Sequence, residues 1–289
     1  MADAWNRHEA GRAVLEEASA AMGRDLVAGC HDEVALASTD FVQPAILACD
    51  VAAFRELEAA GVKPVGAAGH SLGEFAALVA AGVLELAAAL EIVVVRGRAM
   101  QAAGSERPGT MSALLGVGVE EAAALCDDAR GEDVLLVANE NSPQQVVISG
   151  SIPAVERAEA LAIERKVRAV RLRVAGAFHS PLMRSAVEPL SAAIDAVKFR
   201  SPGFPIASNV TGELVEEPSE LRALLERHVV SPVRWERCAQ ALVRAGAELL
   251  VEAGPGDVLT KLAKRAVPGT RAVAVGTPED AAALAAEPA

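Results

Sequence analysis

Gly69-His70-Ser71-Leu72-Gly73-Glu74 lies between a short apolar segment, residues 65–68, and a helical pattern over residues 72–81. A Gly-x-Ser-x-Gly between a strand and a helix is typical of a nucleophile elbow, a tight turn that exposes the serine Oγ at a helix N-terminus. We expect the two glycines to keep side chains out of this turn. The amide of Leu72 and the helix dipole would face negative charge on an attacked carbonyl. The motif also occurs at ordinary strand–helix turns, so other residues must separate the two interpretations.

The alternation of strands and helices predicts an α/β fold in which helices surround a mostly parallel sheet. We expect a large α/β-hydrolase-like domain with a parallel sheet core over residues 1–104 and 175–289. Residues 105–174 follow the order β-α-β-β-α-β, which is typical of a ferredoxin-like unit. We therefore predict a small ferredoxin-like subdomain inserted into the large domain. Both connections should lie close together, near Gly104 and Ala175.

Apolar spacing, capping residues and turn residues predict the bounds of individual elements. Predicted strands cover residues 65–68, 111–116, 134–139, 145–149, 167–174, 205–209, 248–252 and 271–275. Predicted helices cover residues 8–22, 45–60, 72–81, 84–103, 120–129, 152–164, 180–197, 219–229, 235–245 and 258–266. The Ala-rich tail, residues 278–289, is predicted to be helical or frayed.

The composition argues against several classes of protein. The net charge of −12 argues against a nucleic-acid-binding protein, because phosphates require a basic surface. No apolar run is long enough to predict a membrane span, and the first residues lack the apolar stretch of a signal peptide. The cysteines form no CxxC pair, so we expect reduced, mostly buried thiols and no metal site: Cys30, Cys49, Cys126 and Cys238. These features predict a cytoplasmic protein.

A serine needs a base to act as a nucleophile at neutral pH. The sequence has five histidines: His8, His31, His70, His179 and His228. The first two lie in polar stretches and are expected in solvent. His70 adjoins Ser71, and because neighbouring side chains diverge in an elbow, it is expected in the pocket wall. His179 lies at a strand-to-helix junction where the chain returns from the small subdomain, so it can line the cleft and is the candidate base. His228 lies near a helix end, where a structural or surface role is the default.

Arg96 lies on a predicted helix within an aliphatic run, residues 92–95. An arginine in such a run either extends to the surface, pairs with a nearby acid such as Glu91, or points inward. If it points inward, its guanidinium fork can bind a carboxylate through two hydrogen bonds. The sequence leaves these alternatives open.

Six motifs follow one another along the chain, at residues 68–74, 95–100, 141–150, 176–180, 231–235 and 252–256. Together they closely resemble the malonyl-CoA:acyl carrier protein transacylases, and the same elements occur in the acyltransferase domains of polyketide synthases. The resemblance spans nearly the whole chain. The ordered set is far more specific than any single motif.

The resemblance implies a ping-pong transfer in fatty-acid or polyketide synthesis. Ser71 would take the malonyl group from malonyl-CoA as an ester, with His179 as base and then acid. The phosphopantetheine thiol of acyl carrier protein would then take the acyl group, while Arg96 held its free carboxylate. No cofactor is implied, and we expect a monomer.

The resemblance also implies further site positions. Substrate-binding residues would be Gln43, His70, Leu72, Phe178 and Asn141. A backbone carbonyl that orients the catalytic histidine matches His228, where the family usually has Gln; because the backbone is the acceptor, the change should be tolerated. The bulk of Phe178 resembles the malonyl-selective pattern, since it leaves little room for an α-methyl group.

Two other functions stay open at this point. A serine hydrolase or thioesterase would use the same elbow, although a carboxylate clamp at Arg96 has no obvious use in a plain esterase. A catalytically impaired homologue that binds carrier proteins is the other alternative. It is motivated by the family's first strand and its Pro-Gly-Gln-Gly turn, which supply a second oxyanion-hole amide and have no counterpart in the sequence as given.

Overall fold

The computed structural model describes residues 2–287. Met1 and residues 288–289, which the predicted large domain and tail included, lie outside the described residues. The chain forms a mixed α/β fold with several sheets. Its first part contains α1 (Ala2–Trp5), α2 (Glu9–Met22), α3 (Leu26–Gly29), α4 (Glu33–Leu36), α5 (Thr39–Ala59), β1 (Ala67–Ala68), α6 (Gly73–Ala80) and α7 (Leu86–Glu106).

Helix α5 begins six residues before the predicted start at Ala45, so that part of the prediction is wrong. Pro44 lies inside the helix instead of before it. The first turn of α5 packs against α7. A Cβ at Gly97 of α7 would lie only 2.5 Å from the carbonyl oxygen of Thr39. The hydroxyl of Thr39 also donates to the carbonyl of Gly97 at 3.0 Å. This close approach of the two helices brings the first turns of α5 beside Arg96.

The middle of the chain forms a fully antiparallel four-stranded sheet of order β3-β4-β2-β5. Its elements are β2 (Gly109–Leu115), α8 (Val119–Arg130), β3 (Leu135–Ser142), β4 (Gln145–Ser151), α9 (Ile152–Glu164) and β5 (Arg168–Arg171). The predicted element order is confirmed, but β5 ends at Arg171 and not at Val174. The N–H of Leu172 donates one more backbone hydrogen bond to the carbonyl of Met111, and the chain then leaves the sheet towards Gly104.

The remaining described residues, up to 287, contain two 3₁₀ segments, five helices and four strands. These are Pro181–Ala186, α10 (Val187–Asp195), β6 (Ile206–Ala207), β7 (Leu214–Val215), α11 (Pro218–Glu226), His228–Val230, α12 (Trp235–Arg244), β8 (Leu249–Ala253), α13 (Val258–Ala266), β9 (Arg271–Val275) and α14 (Pro278–Ala285). The predicted helix over 180–197 is therefore divided into a 3₁₀ turn and α10. The predicted helix over 219–229 ends at Glu226, before the separate turn that contains His228.

The prediction of one mostly parallel sheet is wrong for the described residues. β1 pairs with β6 in parallel and β6 with β7 antiparallel, whereas β8 and β9 form a separate parallel pair. No strand of residues 2–287 lies between β1 and β8, and a cavity of about 490 Å³ lies there instead. The alternation of elements along a chain predicts parallel neighbours but not which strands share a sheet. β1 and β6 are also shorter than predicted.

The main hydrophobic core lies where α2, α5, α6, α7 and α10 pack together. Its largest fully buried side chains include Trp5, Phe41 and Phe75. A second core lies between the antiparallel sheet and helices α8 and α9. The prediction of unpaired, mostly buried cysteines is confirmed, since all four are free and only Cys30 is partly exposed. Among the described helices, none combines the length and apolar character that a membrane crossing requires.

Candidate active site

Ser71 lies in the tight turn between β1 and α6. Its φ of 52° falls in the left-handed region, where a non-glycine residue costs about 1–3 kcal/mol. Gly69 is required by this turn, because a Cβ there would lie 1.8 Å from the carbonyl carbon of Gly73. Gly73 does not match the prediction that both glycines keep side chains out of the turn, since a Cβ there would meet nothing within 4 Å. Steric crowding therefore explains the first glycine of the elbow but not the second.

His179 is the histidine that contacts Ser71, with its Nε2 2.8 Å from Ser71 Oγ. It is buried and also has a left-handed backbone, with a φ of 57°. Its Nδ1 lies 3.2 Å from the carbonyl oxygen of His228 and 3.0 Å from that of Ser231. Because both of these oxygens are acceptors, Nδ1 carries the proton, and Nε2 is left free to accept the hydroxyl proton of Ser71.

The environment of His179 keeps its imidazole neutral. Burial, and after it the charge of Arg96, lowers the pKa of His179 to about 3. A neutral imidazole is the form that can accept a proton, so His179 is in the form of a base at neutral pH. Such a base should keep its activity at pH values where an ordinary histidine is protonated.

This lowered pKa predicts an unusual pH profile for the reactivity of Ser71. The rate at which a fluorophosphonate probe labels Ser71 should stay constant from about pH 8 to about pH 5, and should fall only as the pH approaches the pKa of His179. An ordinary histidine would lose about tenfold in rate by pH 5.5. Labelling reactions quenched after fixed times across this pH range measure the rate and check the prediction. A decline centred near pH 6.5 would contradict it.

Arg96 points into the protein and its side chain reaches Ser71. It is only 2% exposed, and its Nη2 donates to Ser71 Oγ at 3.0 Å. Its Nη1 donates to Gln43 Oε1 at 2.5 Å, and its buried Nε has no partner among the described residues. These contacts exclude the surface position and the pairing with Glu91 that the sequence left open. Only two of the five N–H donors of the guanidinium have partners among the described residues, so further donors remain for a carboxylate.

Arg96 remains charged despite its burial. Burial lowers its pKa to about 10, and the nearby carboxyl of Glu74 opposes this shift. Burial also raises the pKa of Glu74 to about 7, so this carboxyl is a weak and partly protonated counter-charge. An incompletely neutralised cation next to Ser71 is a suitable environment for an anionic group.

The chain is similar to known acyltransferases over most of its length. A family model described as "Acyl transferase domain" matches residues 8–284. The malonyl CoA-acyl carrier protein transacylase of Haemophilus influenzae is 39% identical over 268 residues, which are 90% of this chain and 85% of that protein. That of Bacillus subtilis is 38% identical over 250 residues, 86% of this chain and 79% of that protein. The chain belongs to the malonyl CoA-acyl carrier protein transacylase family.

Solved structures of this transacylase family have the same fold. The crystal structure of the Xanthomonas oryzae transacylase matches with a TM-score of 0.94 and 40% identity, covering 98% of this chain and 92% of that one. A malonyl-transacylase solved in complex with a type II PKS acyl-carrier protein matches with a TM-score of 0.91 and 35% identity, covering 96% of this chain and 91% of that one.

The other positions implied by the resemblance to the transacylase family lie around this centre. His70 Nε2 is 2.9 Å from Asn141 Oδ1, so the elbow contacts β3, and the His70 ring lies 5.7 Å from that of Trp235. Burial lowers the pKa of His70, and no hydrogen bond connects its ring to Ser71 among the described residues. Leu72 directly precedes α6, and none of the hydrogen bonds of residues 2–287 uses its amide. Phe178, next to His179, packs between the main core and the apolar cluster on the antiparallel sheet.

Three groups at this site were not predicted from the sequence: the carbonyl of Ser231 and the side chains of Asn209 and Glu74. The carbonyl of Ser231 lies closer to His179 Nδ1 than the predicted carbonyl of His228 does. His228 is fully buried, so the surface alternative is wrong, and its Nε2 lies 3.2 Å from Asn209 Oδ1. Asn209 and Glu74 complete a buried network under the elbow. Glu74 directly follows the Gly-x-Ser-x-Gly motif, and Asn209 lies just beyond the strand that pairs with β1, which is the only signal that could have indicated either.

Proposed function

We propose that this chain transfers a malonyl group from malonyl-CoA to the phosphopantetheine thiol of an acyl carrier protein. The observation that carries this proposal is the convergence on one atom. Ser71 Oγ lies within hydrogen-bond distance of His179 Nε2, at 2.8 Å, and of Arg96 Nη2, at 3.0 Å. A nucleophile, a base and a carboxylate-binding cation therefore meet in one site, and a simple esterase has no use for the third.

The transfer takes place in two balanced steps. In the first, Ser71 Oγ attacks the thioester carbonyl while His179 Nε2 accepts the hydroxyl proton, and the C–S bond breaks as that proton passes to the coenzyme A sulfur. In the second, the carrier thiol gives its proton to His179 and attacks the serine ester. The C–O bond then breaks and the proton returns to Ser71 Oγ. The two carbonyls at Nδ1 hold the imidazole in the required tautomer throughout.

Two groups stabilise the charges of the acyl group. The oxyanion formed in each step would be stabilised by the free amide of Leu72 at the N-terminus of α6. The malonyl carboxylate would accept hydrogen bonds from the guanidinium of Arg96, which Gln43 orients through the hydrogen bond at 2.5 Å. The partly buried His70 and the buried Asn141 form the adjacent wall of the pocket.

Phe178 limits the size of the acyl group in this proposal. Its ring follows the malonyl-selective pattern and is fixed between two apolar clusters next to His179. Phe178→Ala should raise loading with methylmalonyl-CoA relative to malonyl-CoA by about 10- to 200-fold, the usual effect of one carbon in a pocket. Competition between the two substrates measures this ratio directly. An unchanged ratio would mean that another side chain excludes the α-methyl group.

The experiment that tests the function follows the fate of the acyl-enzyme. Purified protein is loaded with isotope-labelled malonyl-CoA, separated from excess substrate, and mixed either with phosphopantetheinylated carrier protein or with buffer alone. We expect transfer to the carrier at least about tenfold faster than hydrolysis, a difference of about 1.4 kcal/mol in barrier. The carrier without its phosphopantetheine is the matched control and should receive no label. Loss of label in buffer at the same rate would indicate a thioesterase, and no labelling at all would indicate an impaired homologue.

The same proposal includes the finer division of the fold. The described parts of residues 1–104 and 175–289 would form the α/β-hydrolase-like unit, and residues 105–174 the ferredoxin-like one. Two observations support this division: the antiparallel strand order β3-β4-β2-β5, and the close approach of the two connections, where a Cβ at Gly104 would lie 2.6 Å from the carbonyl oxygen of Ala175. Four unpaired thiols fit a reducing compartment, so we assign the protein to the cytoplasm.

A further inference from the structure

Asn209 is a fully buried polar residue that the proposed mechanism does not use. It lies in the turn that joins β6 to β7. Because Ala68 at the end of β1 pairs in parallel with Ala207 at the end of β6, the residues that follow these two strands meet at one edge of the sheet. Asn209 therefore reaches the nucleophile elbow, although 138 residues separate it from Ser71.

The side-chain amide of Asn209 bridges the two sides of the elbow. Its Oδ1 accepts from the backbone N–H of Ser71 at 2.7 Å, and its Nδ2 donates to the carbonyl of Gly69 at 2.7 Å. A planar amide offers one acceptor and one donor side by side, which matches one N–H and one C=O of the same turn. Asp lacks the donor when ionised, and Ala lacks both groups.

Asn209 is also connected to the group that orients the base. Its Oδ1 lies 3.2 Å from His228 Nε2, while the backbone carbonyl of His228 accepts from His179 Nδ1. Nε2 of His228 must therefore carry a proton, which leaves Nδ1 as a bare acceptor with no partner in the described part of the chain. The backbone N–H of Asn209 donates to Glu74 Oε2 at 3.1 Å, which ties the backbone of Asn209 to α6.

We propose that Asn209 is a positioning residue that holds the backbone of Ser71 in its left-handed conformation and aligns Ser71 Oγ with His179. The role rests on the proposed function only in that Ser71 is the nucleophile. It predicts that loss of the amide slows every reaction of Ser71 while leaving the binding of malonyl-CoA nearly unchanged. Misplacement of a reacting group by about 1 Å costs about 10²-fold in rate.

The first test is Asn209→Ala, measured by fluorophosphonate labelling of Ser71 and by steady-state kinetics with malonyl-CoA and carrier protein. We expect labelling and kcat to fall by about 10²-fold, with KM for malonyl-CoA changed by less than about threefold. Val215→Ala is the matched control, because it truncates a buried residue of β7 and leaves the elbow intact. Its labelling rate should equal that of wild type, even though its thermal stability should fall by a similar amount to that of Asn209→Ala. Labelling of Asn209→Ala at the control rate would overturn the proposal.

Asn209→Asp provides a test that a purely structural role would not pass. When its carboxyl is protonated, it again offers a donor to Gly69 and an acceptor to Ser71, so its labelling rate should recover as pH falls from about 8.5 to about 5.5. The wild-type profile, measured in parallel, corrects for the titratable and charged groups that face this position: Glu74, Arg96, His179, His228 and Cys238. Slow labelling at every pH would contradict the bridging hydrogen bonds.

His228→Leu keeps the backbone carbonyl that faces His179 but removes the ring donor to Asn209. We expect a smaller fall in labelling, about three- to tenfold, corresponding to one neutral hydrogen bond. A fall as large as that of Asn209→Ala would mean that the network acts through His228 instead. Because the probe reports on Ser71 without malonyl recognition, failure of malonyl transfer in the wild type would leave these comparisons valid.

Discussion

Ser71→Ala should abolish the acyl-enzyme and reduce malonyl transfer by ~10⁴-fold or more. The variant keeps His179, Arg96 and the amide of Leu72 but has no oxygen that can form the ester. Binding of malonyl-CoA should therefore persist while covalent loading disappears. Intact-protein mass spectrometry after incubation with malonyl-CoA measures this as the loss of one malonyl adduct, and a carrier-loading assay measures the loss of turnover.

A matched control for this variant is Ser149→Ala. Ser149 is a fully buried serine of β4, whereas Ser71 is partly buried, and the hydroxyl of Ser149 has no partner among the described residues. It should load and transfer the malonyl group at the wild-type rate. A stable malonyl adduct on Ser71→Ala would show that another residue is the nucleophile, and the assignment of the elbow as the reaction centre would then be wrong.

The sequence predicted the elbow well because every determinant of the turn is local. Gly69 is required by a backbone contact only four residues away, and the helix that follows begins within the same motif. The structure brings His179 to Ser71 from the junction where the chain leaves the antiparallel sheet. Its role as base stays a prediction until it is measured.

Contacts between distant backbone groups could not be predicted in the same way. The carbonyl of Ser231 has no signal in the sequence, because every residue carries a carbonyl and only the path of the chain decides which one meets His179 Nδ1. Arg96 is a related case. Its aliphatic neighbours predict a buried helix face, but its direction depends on how α5 approaches α7 at Gly97 and brings Gln43 beside it.

The sheet illustrates a second limit. Short apolar segments predict that β1, β6, β8 and β9 are strands, yet their grouping into two sheets depends on which edges meet. The same pairing of β1 with β6 brings Asn209 to the elbow, so the residue could not be identified before the pairing was known. In this fold the missed site residues and the wrong sheet prediction have one cause, the absence of long-range pairing information in local patterns.

Arg96→Ala should cost malonyl loading far more than acetyl loading. Two charge-assisted hydrogen bonds to a carboxylate contribute about 3–4 kcal/mol together, so kcat/KM for malonyl-CoA should fall by about 10²- to 10³-fold. Acetyl-CoA has no free carboxylate, and its loading should fall by less than about tenfold, through the lost hydrogen bond from Arg96 to Ser71 Oγ. Parallel measurement of both rates on one preparation gives the ratio that decides the role.

Two further variants separate charge from geometry in this prediction. Arg96→Lys keeps a cation but not the planar fork, so it should recover only part of the malonyl loading. Arg98→Ala removes an arginine from the exposed side of the same helix, where its Nε lies 3.7 Å from Asp40 Oδ2. This variant should leave the malonyl and acetyl loading rates unchanged. Because the guanidinium of Arg96 contacts Ser71 as well as Gln43, equal losses for the malonyl and acetyl groups would mean that it acts on Ser71 and not on the carboxylate.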